Sequence, residues 1–524
     1  MLSDSTKNYL QRINSIFHPS AEPDAAKIHV DYVASKVATL YEKLRQVIDY
    51  QEEHLLRKNT IERMLKRRLL LSSDPQDVAK PLVFELIRGG YFPNDEIPET
   101  RIAEITYLLA KYIFLREHIP AETKDKKSLN DWLEALAASE IEEKLAPSRK
   151  EAAIIDYMVE EFLRRLVLPD IVIDDARKKE FVFIACQKAL LKADEDLLSW
   201  RLLKFKFPEF AAVQNQGYLM EFSQRLEALK TEIDWEINHP LIKRLQYKAY
   251  RLTPSFLLIQ DVVSSDPRGA QEIFEKPESL ELRIKFAYDK RFVALKRNNR
   301  RWGFRWVLSI LFSKMFLAFL IEVPYDRMTH NFSPLAAAVN LFVPPFLMFV
   351  IISSSRGPDK ENKNLVALDT MSIVYQSQTP EKIRIEKFSE KMGLGQIFWR
   401  FIFFISSILV FGGVVYLLLK IHFSWLSIAI FLAFFSLIAF SGMKIETSSK
   451  QLIAKEKEDG FLDFVADIFF LPFRQVGKWL SRQLQRYNLI ILILNLFFEA
   501  PLQIFFEFVE SWRKFVKSKK EELE

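Results

Sequence analysis

The sequence predicts an all-α protein in two contrasting parts: a cytoplasmic multi-helix bundle, then an α-helical multipass membrane domain of four spans that ends in interfacial or re-entrant helices. Three observations carry that expectation. Glycine supplies only 13 of 524 residues, well under the ordinary share of about 7%, and Asn-Gly or Asp-Gly hairpin signals are few. Residues 1–300 are rich in charge, whereas most of the 45 phenylalanines lie beyond residue 300. A basic collar, Arg283, Lys285, Lys290, Arg291, Lys296, Arg297, Arg300, Arg301 and Arg305, runs straight into the apolar stretch Trp306–Ile321. The whole-chain averages, 27% charged with net charge +6, conceal this contrast.

Residues 1–26 are polar with Pro19 and Pro23 and are expected to form a loose N-terminal arm or one short helix. They contain no continuous apolar core of a signal peptide, so insertion is expected to rest on internal segments. From Lys27 the chain becomes regular, with Val30, Val33, Val37, Leu40, Leu44 and Val47 on one helical stripe. Gln51 and His54 then break the seam, which favours a helix inside a bundle over a coiled coil. The bases Lys58, Arg63, Lys66, Arg67 and Arg68 follow among the acids Glu52, Glu53 and Glu62, the pattern of a solvated helix face.

Turn signals separate further helices expected near 75–87, 100–117, 128–138, 149–167, 173–192, 195–204, 216–233, 240–251, 269–274 and 278–298. Pro75 opens the first of these and Arg88-Gly89-Gly90 closes it. Ser148 with Glu151 spells a capping box. No βαβ rhythm points to a nucleotide-binding sheet. The cytoplasmic domain is expected to cover residues 27–300.

Four apolar segments then follow, Phe304–Ile321, Leu335–Ile352, Phe401–Leu419 and Phe423–Phe440, each near the ~20 residues that cross a ~30 Å hydrocarbon core. The links between them alternate in charge. EVPYDRMTHNFS is poor in bases, the connection at 354–396 carries seven Lys and Arg, and the segment after the fourth holds Lys444, Lys450, Lys455 and Lys457. Cytoplasmic loops are those enriched in Lys and Arg, so two hairpins (301–353 and 397–442) with both termini in the cytoplasm of a plasma-membrane protein are expected. The connection should begin as a polar loop and continue as an interfacial helix over KIRIEKFSEKMG.

Residues 443–524 are harder to place. Gly460–Phe473 is too short to span, and Leu489–Phe508 is interrupted by Glu499-Ala500-Pro501 and has basic residues at both ends. A re-entrant hairpin bent at Pro501, or two helices lying on the interface, accommodates that charge pattern. Trp479 and Trp512 suit the headgroup level.

The search for chemistry is mostly negative. No phosphate-binding GxxxxGK[ST] loop or dinucleotide-binding glycine motif occurs. The seven histidines are scattered without ligand spacing, and the single cysteine, Cys186, permits neither an internal disulfide nor a thiolate metal site. No cofactor, metal site or catalytic residue is therefore assigned, and no motif speaks for an enzyme.

Inside the expected bilayer, Lys314 is the costliest residue, at roughly 2.5–3.5 kcal/mol near a span centre. It is either part of a polar site or a lysine whose head snorkels to the interface. Asp463, Asp467 or Glu499 from the C-terminal segment are the candidate acidic partners of Lys314, and Asn340 accompanies Pro344 and Pro345 in the second span. The candidate intramembrane site is thus Lys314, Asn340 and Glu499. Arg297, Arg300, Arg301 and Arg305 are the expected contacts to headgroups of an anionic leaflet, at about 1 kcal/mol each. Lipid contact accounts for the collar, so nucleic acid is not expected as a partner.

Two functions follow as expectations: a membrane scaffold or assembly factor whose helical domain docks a protein partner, or a transport component with a polar path at Lys314 and Asn340. Four spans are few for a complete carrier, so the second implies a homo-oligomer.

Overall fold

The structure is a computed structural model that describes residues 2–17, 26–30, 53–211, 215–329, 333–354, 360–375, 382–386, 394–449, 452–453, 461–486 and 512. It is helical almost throughout. The chain divides into two compact units, one built on Met1–Glu281 with Asp369–Glu386, the other on Leu282–Leu368 with Lys387–Ile504.

In the first unit, α1 (Asp4–Phe17) is followed by α2 (Glu53–Leu69), α3 (Pro75–Arg88), α4 (Thr100–Glu117), α5 (Lys126–Leu145) and α6 (Arg149–Arg165). A two-residue strand β1 (Leu166–Val167), then α7 (Asp175–Leu190), α8 (Glu195–Lys206), α9 (Gln216–Asn238), α10 (Pro240–Ser265) and α11 (Ala270–Glu275) complete it in sequence. The predicted starts are met because the caps are written in the sequence. Asp74, Asp125, Asp194 and Asn215 each accept a hydrogen bond from an amide in the first turn that follows them, the arrangement that satisfies orphan donors at a helix N-terminus. Gly90, with φ 75°, closes α3 as the glycine pair predicted.

Four expectations are corrected here. Of the two readings of residues 1–26, the loose arm gives way to the short helix, which is the docked α1, because Thr6, Tyr9, Leu10 and Ile13 recur at helical spacing and bury one face. Tyr9 stacks on Tyr157 at 5.2 Å, and the Thr6 hydroxyl lies 2.6 Å from that of Tyr157. Ser148 makes no side-chain cap, since its ψ of 48° departs from the extended backbone that aims a capping hydroxyl at the helix. The bases on α2 are not a solvated face. Lys58 is buried against Asp194 and Asp196 at 2.7 and 3.0 Å, while Arg67 and Arg68 share Glu85.

The fourth correction concerns the connection at 354–396. The last residues of its polar start, from Lys360, open a helix that runs to Tyr375, and the described beginning of its expected helical part is instead the strand β2 (Ile383–Arg384), parallel to β1; residues 355–359 and 387–393 lie outside the described residues. Ile383 and Ile385 flank Arg384 in the alternation of a strand, and the Ile385 amide donates to the Val167 carbonyl at 3.1 Å. The valine and leucine stripe at 30–47 lies outside the described residues beyond Val30.

The second unit holds most of α12 (Pro277–Leu317), one wide helical turn (Ala318–Glu322), α13 (Val323–Met328), α14 (Pro334–Ser354), part of α15 (Lys360–Tyr375), α16 (Leu394–Lys420), α17 (Trp425–Ser449) and α18 (Phe461–Arg486). Among the described residues two helices are long and apolar enough to cross a membrane, Phe401–Lys420 and Trp425–Thr447; Pro334–Val350 is a shorter apolar stretch. The two differ in cover: 61% of the α17 stretch is buried within the protein, against 6% of α16.

What was expected at 460–473 as a segment too short to span is one 26-residue helix, α18, extending to Arg486 through Pro472. It packs along α17 and touches α16. Phe473 is fully buried, with ring centroids 4.6 Å from Phe411 and 4.5 Å from Phe435. Gly477 faces the Ser436 carbonyl so closely that any Cβ there would collide with it. The segment 489–508 lies outside the described residues.

Candidate functional site

The site grows from a proline. Pro324 has no amide hydrogen and its ring clashes with the carbonyl four residues back, so the helix carrying Lys314 cannot continue unchanged through it. The strain is taken up in the wide turn Ala318–Glu322, where the hydrogen bonding passes from i→i+4 to i→i+5. In an unbroken α-helix, Glu322 would sit about 80° around the axis from Lys314; absorbing one residue reduces this to about 20°. Both side chains therefore face the same way.

The consequence is an ion pair the sequence analysis did not contain. Lys314 Nζ lies 3.6 Å from Glu322 Oε1, and both residues are buried. Asn340 on α14 donates from Nδ2 to Glu322 Oε2 at 2.6 Å and is itself buried. The Lys314 ammonium also lies 4.9 Å from the Phe434 ring and 5.9 Å from that of Phe431, both on α17. One turn beyond Glu322, Asp326 Oδ2 accepts from the Ser427 hydroxyl at 3.2 Å. Lys314 Nζ, Glu322 Oε1, Asp326 Oδ1 and Asn340 Oδ1 have no hydrogen-bond partner among the described residues. The second span's prolines add to this. Pro344 and Pro345 deprive the Asn340 and Leu341 carbonyls of their usual i+4 donors.

Of the residues assigned from sequence, Lys314 and Asn340 thus meet, with Glu322 between them. Glu499 lies outside the described residues. Asp467 does not serve as the partner of Lys314, because it is exposed and bonds Arg474 at 2.8 Å. Glu322 was passed over because the sequence places it at the loop edge of the first span. Pro324, two residues on, was the signal that a local change of helical pitch would turn it inward.

Arg297, Arg300 and Arg301 are exposed along α12, and Arg305 follows on the same helix. Among the described residues no cluster of three His, Cys, Asp or Glu side chains is placed to hold a metal ion.

The first unit has its own polar features. A cavity of about 410 Å³ is lined by Arg101, Glu140, Glu143, Lys144, Arg149 and Trp200 among others. Its two carboxylates are already engaged. Glu140 accepts from Lys111 at 2.8 Å and from the Tyr112 hydroxyl at 2.8 Å, and Glu143 accepts from Trp200 at 2.7 Å and from Lys204. Burial pushes the Glu140 carboxyl up, and the Lys111 charge only partly opposes it.

Fold and site together define the class: an all-helical protein with two helices able to cross a membrane and a buried Lys–Glu–Asn cluster among apolar helices. Comparison with protein-family models, with curated proteins and with solved structures finds no match.

Proposed function

We propose that this chain is a multipass membrane protein acting as an oligomeric transport or translocation component, with Lys314, Glu322 and Asn340 at a polar site near the middle and outer end of the first two spans. The observation that carries the proposal is the buried, incompletely satisfied cluster. A charged group in hydrocarbon is costly and is retained mainly where it lines a substrate or ion pathway, and an ion pair there has no part in docking a protein in the cytoplasm.

Membrane insertion is supported by α16. Only 6% of its apolar stretch Phe401–Lys420 is buried within the protein, unlike the mostly buried core helix of a soluble protein, and an exposed apolar face of that size needs lipid or protein cover. The full topology proposed is four spans, Phe304–Ile321, Leu335–Ile352, Phe401–Leu419 and Phe423–Phe440, in a plasma membrane with both termini cytoplasmic. Arg297, Arg300, Arg301 and Arg305 then meet the anionic leaflet, a role that suits the exposure of the first three. The exposed Trp479 on α18 suits the headgroup region.

The test is solute movement in proteoliposomes containing the full chain. Flux that falls at least about tenfold in Lys314→Met and in Asn340→Leu is expected; leak-level flux in the wild type for every cation, anion and neutral solute tried would remove the proposal.

A scaffold function is the second proposal. It is favoured by the size of the first unit, in which Ser3 and Thr6 of α1 both bond the carbonyl of Val374 from a distant part of the chain. Crosslinking with mass spectrometry in mild detergent distinguishes the two: a stoichiometric partner on residues 1–281 supports docking, and a homo-oligomer alone supports transport.

A further inference from the structure

We infer that the polar cluster takes a small monovalent cation, held by oxygens of Glu322, Asp326 and Asn340 in exchange for the Lys314 ammonium; this rests on the transport function proposed above. The atoms that lack a hydrogen bond among the described residues decide the chemistry. Three of the four, Glu322 Oε1, Asp326 Oδ1 and Asn340 Oδ1, are oxygens that can only accept. Lys314, Asn340 and Glu322 are 0%, 3% and 4% exposed, so bulk water does not satisfy them.

Charge narrows the class further. Glu322 and Asp326 carry two negative charges and Lys314 one positive; Arg327, the neighbouring cation, is exposed on its helix. An anion would meet the two carboxylates. A neutral donor would leave the excess negative charge in an apolar setting. Divalent cations are usually held by six or more oxygens or by retained water, more than three side-chain acceptors supply. One monovalent cation neutralises the set.

Lys314 is placed to be displaced. At 3.6 Å from Glu322 Oε1 its ammonium is beyond hydrogen-bond distance, and in the same position it already lies within cation–π reach of the Phe434 and Phe431 rings. A cation entering at the carboxylates takes over the contact with Glu322, and the rings continue to hold the lysine until the cation leaves. Sodium and the hydrated proton share this chemistry.

The test uses the full chain. In detergent, the thermal unfolding midpoint is followed against sodium chloride and against choline chloride at equal ionic strength. A saturable rise with sodium alone is expected, lost in Glu322→Gln and in Asp326→Asn, which keep side-chain shape. Lys314→Met, freed of its internal competitor, should bind sodium about tenfold more tightly. In proteoliposomes, a sodium-sensitive dye and an internal pH dye separate the two cations, and a response of the pH dye alone, lost in Glu322→Gln, assigns the site to the proton.

Absence of both the sodium shift and any dye response in the wild type overturns the cation inference. If another solute still crosses in a Lys314-dependent way, the transport function survives that failure. If sodium binds and nothing crosses, the cation site stands and the transport function falls.

Discussion

Lys111 and Glu140 show how the first unit treats buried charge. Both are almost fully buried, joined at 2.8 Å, and completed by the Tyr112 hydroxyl and the Phe210 carbonyl. Burial pushes the Lys111 ammonium below its usual value, with Glu140 only partly restoring it. Removing one partner of such a pair leaves an uncompensated charge, whereas apolar replacement of both is often close to neutral. Glu140→Leu is therefore expected to cost about 3–5 kcal/mol in denaturant unfolding, and Lys111→Met in that background to recover much of it. Equal losses in single and double variants would show that the pair is not the source.

Glu143 behaves differently. Burial raises its carboxyl, but hydrogen bonds from Lys204 and Trp200, with the charges of Lys204 and Arg201, outweigh burial and hold it below the usual carboxylate range. A carboxyl whose folded value is depressed adds stability above the unfolded value of about 4.3 and loses it as pH falls toward the folded one. The stability advantage of wild type over Glu143→Gln should thus shrink as pH is lowered below about 4, in paired thermal melts. Cys186 is fully buried and its thiol is raised by burial, so it is expected to stay unreactive toward thiol reagents until the first unit unfolds.

At the scale of elements, the contact between α17 and α18 depends on one missing side chain. Gly477 lets the Ser436 carbonyl and Phe440 approach, and this proximity sets Phe473 into the aromatic group around Phe435. Backbone cannot yield as a flexible side chain can, so Gly477→Leu is expected to separate the helices. A lower melting temperature and faster proteolysis of α18 would report it, and an unchanged protein would mean that the helices do not pack at this register.

The spans make a second prediction at this scale. Met328, Lys420 and Leu368 are all exposed on the protein, so membrane sidedness alone should decide their labelling. An impermeant maleimide added to whole cells is expected to modify Met328→Cys and Lys420→Cys but not Leu368→Cys. The reverse pattern overturns the orientation, and labelling of all three or none removes the two-hairpin topology.

For the whole molecule, the sharp division in charge and aromatic content leads to a single bulk expectation. The chain should stay with the membrane pellet through alkaline carbonate washing, because only 6% of the apolar stretch of α16 is buried within the protein. Release into the supernatant would mean that protein, not lipid, covers that helix.

The helical class, the helix starts near 75, 195 and 216, and the apolar lengths of α16 and α17 were legible in the sequence alone. Each depends on neighbours a few residues apart: a cap and its first turn, a helical stripe, an uninterrupted apolar run. The docking of α1, the pairing of Ile383 with Leu166, the neutralisation of the α2 bases by Asp194, Asp196 and Glu85, and the meeting of Lys314, Glu322 and Asn340 were decided only by the tertiary structure. Partners there are separated by 8 to more than 300 residues, and periodicity carries no record of such distances. Lys314 and Glu322 come closest to the boundary between the two. They lie on one helical run, yet a regular helix would point them apart, and the turn forced by Pro324 is what brings a lysine and a carboxylate together among apolar helices.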